Sequence, residues 1–130
     1  MFEQGSQIVG AMQRAGVSLL AGTDVAWYQP YAYAGFSLHD ELGLLVDAGL
    51  TPTQAIQSAT IAPARFLGME RDVGSIEKRK LADLVLLSAD PLQNITDTRK
   101  IEFVIINGRL LDRRELDSLL AAGENSVKNK

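Results

Sequence analysis

The sequence has 130 residues, of which 46% are hydrophobic and 22% charged, a balance typical of one globular domain and not of a disordered chain. Its formal net charge of −3 gives no basis for a nucleic-acid or anionic-membrane partner. It has no cysteine and only one histidine, His39, which excludes a disulfide scaffold, a thiolate metal site and a metal site built from several histidines of this sequence.

The first predicted elements are a helix and a buried strand. Apolar residues at helical spacing predict an amphipathic helix over about 3–15, ended by Gly16. The apolar run 17–21 has a β-branched start and is typical of a strand buried on both faces of a parallel α/β sheet. Because the helix begins almost at the first residue, we expect the sequence to be a piece of a longer one. The first residues lack the features of a signal peptide, and no apolar run approaches the roughly 18 residues of a membrane span, so we expect a soluble cytoplasmic protein.

Three helical segments are predicted next. Ser37 is a candidate N-cap, with Asp40 in the first turn of a helix that ends at Gly49. Thr51, followed by proline and then by glutamine three positions on, has the pattern of a capping box at the start of another helix. A further helical turn over 63–67 ends at a glycine.

The second half of the sequence has the character of a small β module. The runs 82–87 and 103–106 are predicted strands, and the Asn-Gly pair at 107–108 is a strong hairpin signal. A closing helix is predicted over 113–122 and a polar tail over 124–130. The predicted order is therefore helix, strand and helices first, and strands second.

Asp24 is the principal candidate for chemistry. It follows directly after the predicted buried strand, at the edge where α/β sheets and barrels hold their active sites. A carboxylate at this place can bind a metal ion, accept a proton from an attacking water, or do both. The same Gly-Thr-Asp sequence is also ordinary turn chemistry, and from spacing alone that reading stays open.

His39 and the aromatic loop 27–33 are further candidates. A lone histidine near a helix start is more often a packing or hydrogen-bonding residue than a catalytic one. The aromatic side chains of the loop can line a pocket beside Asp24 or simply cover the core. Glycine spacing does not predict a phosphate loop, and no serine has a credible base partner.

The ordered motifs resemble those of the amidohydrolase superfamily, and within it the imidazolonepropionase-like and prolidase-like metal-dependent hydrolases. The resemblance rests on their order and spacing over about residues 10–112. The matching motifs are Ala-Gly-Thr-Asp at 21–24, Ser-Leu-His-Asp-Glu-Leu at 37–42, Ala-Gly-Leu-Thr-Pro at 48–52, Pro-Ala-Arg at 63–65, Ala-Asp-Leu-Val at 82–85, Asp-Pro-Leu at 90–92 and Val-Ile-Ile-Asn-Gly at 104–108.

The resemblance implies an α/β fold, namely the C-terminal segment of a (β/α)8 TIM barrel plus part of a small β-sandwich. Residues 1–72 would be the last barrel strand and the helices after it, 73–112 the sandwich segment, and 113–130 a C-terminal helix and tail. Asp24 matches the aspartate of the eighth strand, which contacts a divalent metal, most often zinc, and serves as general base. His39 matches a position common in the subgroup and is expected near the substrate. The implied reaction is hydrolysis of a carbon–nitrogen bond in a small-molecule or dipeptide-like substrate.

The sequence also departs from the family pattern. It has no counterpart of the strand-one His-x-His pair, the bridging lysine or glutamate, or the histidines of strands five and six, and a complete barrel needs about 250 residues. We therefore expect this chain alone to be inactive and to bind no metal tightly. One alternative is a non-catalytic truncated or associating module that exposes apolar surface and self-associates. A phosphoacceptor domain using Asp24 would need further acidic residues and a strand-end lysine, which the β-rich second half does not supply.

Overall fold

A computed structural model describes residues 2–25 and 32–128, and within these ranges its mixture of helices and strands agrees with the predicted α/β class. The helices are α1 (Phe2–Arg14), α2 (Phe36–Asp47), α3 (Pro52–Ser58), α4 (Ile61–Phe66) and α5 (Arg113–Lys128), with a 3-10 helix at Ile95–Arg99; the strands are β1 (Leu84–Leu87), β2 (Ile101–Ile106) and β3 (Arg109–Leu111). None of the helices in these ranges is long and apolar enough to cross a membrane.

The predicted C-terminal end of α1 and the predicted N-terminal start of α3 are confirmed. Gly16 has a φ of 78° and donates its N–H to the carbonyl of Gln13, which ends α1 as a C′ glycine does. At α3, the Thr51 hydroxyl accepts the N–H of Gln54 at 3.2 Å, and the Gln54 side chain accepts the N–H of Thr51 at 2.9 Å. Both donors would otherwise lack a partner within the helix.

The predicted start of α2 is wrong by two residues. Gly35, with a φ of 81°, occupies the N-cap, and no side chain caps the helix there. The Ser37 hydroxyl instead accepts the backbone N–H of Tyr33 at 2.7 Å. Asp40 is not in the first turn of α2, so its carboxylate does not interact with the positive end of the helix dipole. It forms an ion pair with the Arg99 side chain instead.

The core lies between α2, α3 and the 3-10 helix. Its buried members are Leu42, Leu45, Leu50, Ala55 and Ile95. Leu42 and Leu45 share one face of α2, as the helical spacing predicts, and Ala55 on α3 is fully buried. Ile95 belongs to the β-rich half, so the core joins the two halves of the chain.

The segment 17–21, predicted as a buried strand, forms no strand. Its backbone makes one hydrogen bond to α3, from the Ala21 N–H to the Ser58 carbonyl at 2.9 Å. Leu19 and Ala21 pack against the core, whereas Leu20 is 41% exposed. A strand needs a ladder partner, and within residues 2–25 and 32–128 no other segment lies alongside to supply one.

The β module is a three-stranded antiparallel sheet in the order β1-β2-β3. Leu84 pairs with Ile105 across β1 and β2, and a register shift falls between Leu86 and Leu87. The predicted hairpin is confirmed, since Asn107 and Gly108 have φ values of 50° and 74°, the left-handed pair that a type I′ turn requires. Both predicted strands are present, although β1 begins two residues later and β2 two residues earlier than expected.

The segment predicted as a polar tail is helical as far as Lys128, the last residue that the structure describes. Helix α5 runs for 16 residues and carries ion pairs between Arg113 and Asp117 and between Lys128 and Glu124, each four residues apart. Such pairs support an exposed polar helix, although each contributes only about 0.3–0.5 kcal/mol. A polar composition at the end of the sequence is therefore not enough to indicate a tail without helical structure.

Candidate functional site

Asp24 lies at the end of the irregular segment that follows α1. It is exposed and has a φ of 47°, in the left-handed region that aspartate adopts more readily than most non-glycine residues. Among the residues that the structure describes, none forms a hydrogen bond or ion pair with its carboxylate. The carboxylate is therefore accessible to a proton donor or a cation from solvent.

His39 is half-buried on α2 and is held by the β-rich half of the chain. Its Nδ1 atom lies 3.0 Å from the hydroxyl of Thr98 in the 3-10 helix. Burial lowers the pKa of His39 below its usual value, the nearby Arg99 guanidinium lowers it further, and the Asp40 carboxylate opposes the change. These surroundings therefore favour the neutral form of the His39 ring.

A cavity of about 530 Å³ lies between the start of α2, strand β2 and helix α5. Its wall is mostly apolar and includes Phe36, Leu116 and Leu119. The polar side chains that line it are His39, Arg99 and Arg113, and no carboxylate of the described ranges does so. Cavities of this size and composition are typical of small-molecule sites.

The structure does not bring the two predicted site residues into one cavity. Asp24 lines neither the cavity around His39 nor a second one of about 280 Å³ between α1 and the α3–α4 region. The aromatic loop predicted beside Asp24 falls largely on residues 26–31, which lie outside the described ranges. Tyr33, which is described, is 64% exposed.

The described residues of this chain do not by themselves supply a complete metal site. Within residues 2–25 and 32–128, no three His, Cys, Asp or Glu side chains converge closely enough to hold one. Asp24 can supply one oxygen ligand, whereas catalytic zinc sites use three protein ligands. Any metal at Asp24 would need further ligands from outside these ranges.

Thr98, Arg99 and Arg113 were not predicted as site residues. Thr98 and Arg99 lie 59 residues from their partners His39 and Asp40, and a threonine and an arginine in a polar turn carry no signal of a distant partner. The one available clue was that an Asn at position 94 precedes them. Asn94 caps the 3-10 helix by accepting the Thr96 N–H at 3.1 Å and so fixes the turn that presents both side chains.

The sequence matches the profile of the amidohydrolase family over residues 3–111. An imidazolonepropionase from Symbiobacterium thermophilum is 37% identical over 78 residues, covering 59% of this chain and 18% of that protein. A 5'-deoxyadenosine deaminase from Methanobrevibacter smithii is 37% identical over 94 residues, covering 72% of this chain and 21% of that protein.

Solved structures agree with the sequence matches. A crystal structure of an Xaa-Pro dipeptidase with methionine bound in its active site superposes with a TM-score of 0.73 at 31% identity, over 82% of this chain and 25% of that one. Molinate hydrolase superposes with a TM-score of 0.71 at 30% identity, over 80% of this chain and 25% of that one. The chain thus spans 18% to 25% of the length of these relatives.

Proposed function

Because this chain belongs to the amidohydrolase family, we propose that it is the C-terminal part of a metal-dependent hydrolase that cleaves carbon–nitrogen bonds. The single observation that carries the proposal is the match over residues 3–111, which includes Asp24 and its neighbouring motifs. A dipeptidase and a deaminase both act, by their names, on a carbon–nitrogen bond, which supports this class of reaction. The substrate class that we propose is a small molecule or dipeptide-like compound.

The proposed division of the chain follows the helices and strands. Residues 1–72 would supply the last strand and helices of a (β/α)8 barrel, residues 73–112 part of a β-sandwich, and residues 113–130 a C-terminal helical segment. The segment 17–21 has no strand neighbour within the described residues, and its Leu20 side chain is 41% exposed, which supports this division. In a barrel, strands on either side would satisfy that backbone and cover that side chain.

Asp24 is the residue that we assign to the chemistry. Its accessible carboxylate would accept the proton of the attacking water and would also contribute one oxygen ligand to the metal. We propose zinc as the metal. When bound, it would lower the pKa of the water molecule that it holds. The remaining ligands would come from the rest of the barrel. His39 would contact the substrate.

A chimera tests the role of Asp24. Residues 3–111 replace the matching quarter of the Xaa-Pro dipeptidase, and hydrolysis of an Xaa-Pro dipeptide and bound metal are measured in the same preparation. The proposal expects activity in the chimera and a loss of roughly 10²–10⁴-fold in kcat for Asp24→Asn, the range of general-base catalysis. Asp47→Asn is the matched control, because Asp47 is an exposed aspartate at the end of α2. A folded, metal-loaded chimera without activity, or an Asp24→Asn chimera as active as the control, contradicts the proposal.

The apolar surface of the β module favours a second candidate function, a non-catalytic associating module. Val85 and Leu86 are neighbours on β1 with side chains on opposite faces of the sheet, and they are 56% and 58% exposed. Exposed apolar residues on both faces of a sheet favour association. Light scattering of the chain over a range of concentrations tests this. Self-association that Val85→Thr abolishes supports it, and a monomer at every concentration contradicts it.

A further inference from the structure

The hydrogen bonds of Thr98 determine which ring nitrogen of His39 carries the proton. The Thr98 hydroxyl donates its only hydrogen to the carbonyl of Ile95 at 2.9 Å. Its oxygen can therefore only accept at the 3.0 Å contact with His39, and Nδ1 must be the donor. In the neutral ring this leaves Nε2 with a lone pair and no proton.

Nε2 is not enclosed by the described residues. No described residue forms a hydrogen bond with Nε2, and within the described ranges no fully buried side-chain nitrogen or oxygen lacks a partner. Nε2 must therefore reach open space, and His39 is one of the side chains that line the cavity. A side chain with an oriented hydrogen-bond acceptor thus lines an otherwise mostly apolar cavity.

The other polar groups of the wall are donors. Arg99 uses one terminal nitrogen for Asp40, and its guanidinium keeps further N–H groups. Arg113 is more fully engaged, with bonds to Asp117 and to the carbonyl of Ile101 at 2.8 Å. An acceptor at His39 beside a donor at Arg99 is complementary to a group that has an N–H next to a carbonyl.

We propose that this cavity binds a small molecule with an apolar body and an amide group, whose N–H donates to His39 Nε2 and whose carbonyl accepts from Arg99. The inference goes beyond the proposed function, because Asp24 does not line this cavity and the binding does not depend on hydrolysis. Thr98 is a positioning residue, since it acts by fixing the ring of His39. The apolar body would lie against Phe36 and the leucines of α5.

The single histidine makes the test direct, because the imidazole nitrogen signals of the 130-residue chain belong to one residue. Nitrogen NMR at pH 7.5 should show a proton on Nδ1 and none on Nε2. Acetanilide, a phenyl ring carrying a secondary amide, should shift the His39 ring and the backbone amides of α2, β2 and α5. Phenyl acetate, in which oxygen replaces the N–H, should bind about five-fold more weakly, the factor of one hydrogen bond.

Three variants separate the effect of the His39 tautomer on probe binding from the effect of side-chain packing. Thr98→Val removes the acceptor of Nδ1–H, so the proton should move to Nε2 and phenyl acetate should bind at least as well as acetanilide. Thr98→Ser keeps the hydroxyl and should restore the wild-type tautomer and preference. His39→Phe keeps an aromatic ring without a nitrogen, so the acceptor is lost and both probes should bind equally.

The inference would be overturned by a wild-type proton on Nε2, by probe shifts located away from the cavity, or by no binding of acetanilide. A Thr98→Val ring that keeps the wild-type tautomer would do so as well. These readouts do not involve Asp24 or hydrolysis. If the His39 tests fail but hydrolysis by the chimera depends on Asp24, the proposed function stands. If the His39 tests succeed but hydrolysis does not depend on Asp24, only the binding site stands.

Discussion

Replacing Ile95 by alanine should destabilise the whole chain, because this side chain joins the 3-10 helix to the helical core. Ile95 is 7% exposed and belongs to the same cluster as Leu42 and Leu45 of α2. The substitution removes three carbon atoms, which corresponds to about 2 kcal/mol of transfer free energy. The cavity left behind adds to this, so the free energy of unfolding should fall by about 2–4 kcal/mol.

Urea denaturation followed by circular dichroism measures the effect. With a typical slope, the midpoint for Ile95→Ala should fall by about 1–2 M. Ile76→Ala is the matched control, because Ile76 is 86% exposed and the same atoms are removed, and it should change the free energy by less than about 0.5 kcal/mol. Equal effects at both positions would refute the assignment of Ile95 to the core that joins the helices and the β module.

Three further predictions concern a cap, a glycine and a titrating group. Thr51→Ala should lower the free energy of unfolding by about 1 kcal/mol, measured by urea denaturation, because it breaks the capping box of α3. Gly74→Ala should cost more than about 1 kcal/mol, since its φ is 91° and a Cβ there would lie 2.7 Å from that of Ala64, whereas Gly123→Ala in open space on α5 should be neutral or stabilising. The lowered pKa of His39 means that the unfolded chain takes up a proton at higher pH than the folded one, so the free energy of unfolding should fall as the pH drops below about 6.5. His39→Asn should reduce that dependence between pH 7.5 and 5, and an unchanged dependence would contradict the assignment.

The parts of the fold that could be predicted are those that local chemistry determines. The capping box at Thr51 and the Asn-Gly turn at 107–108 each satisfy their own hydrogen bonds or dihedral angles within four residues. Ser37 shows the limit of such reasoning. Gly35 begins the helix before it, and the serine hydroxyl then bonds to a preceding N–H. Gly35 and Ser37 are both residue types found at the N-cap, and residue type alone does not determine which of them begins the helix.

The parts that could not be predicted depend on distant partners. The run 17–21 has a strand composition, yet a strand exists only where a neighbour completes its ladder. The contact of His39 with Thr98 spans 59 residues, and it converts a lone histidine into an oriented acceptor. Asp24 is exposed and lies within the family match, and its role as the general base stays a prediction.

The measurement that tests the central claim most directly is kcat of the Asp24→Asn chimera relative to the unchanged chimera, at equal bound metal. Equal metal content separates the proton transfer from the loss of one ligand. The account predicts a ratio of about 10⁻² or lower, with Asp47→Asn within three-fold of the unchanged chimera, on the order of a neutral surface substitution. An Asp24→Asn chimera that turns over as fast as the Asp47→Asn chimera would contradict the assignment of Asp24 as the general base.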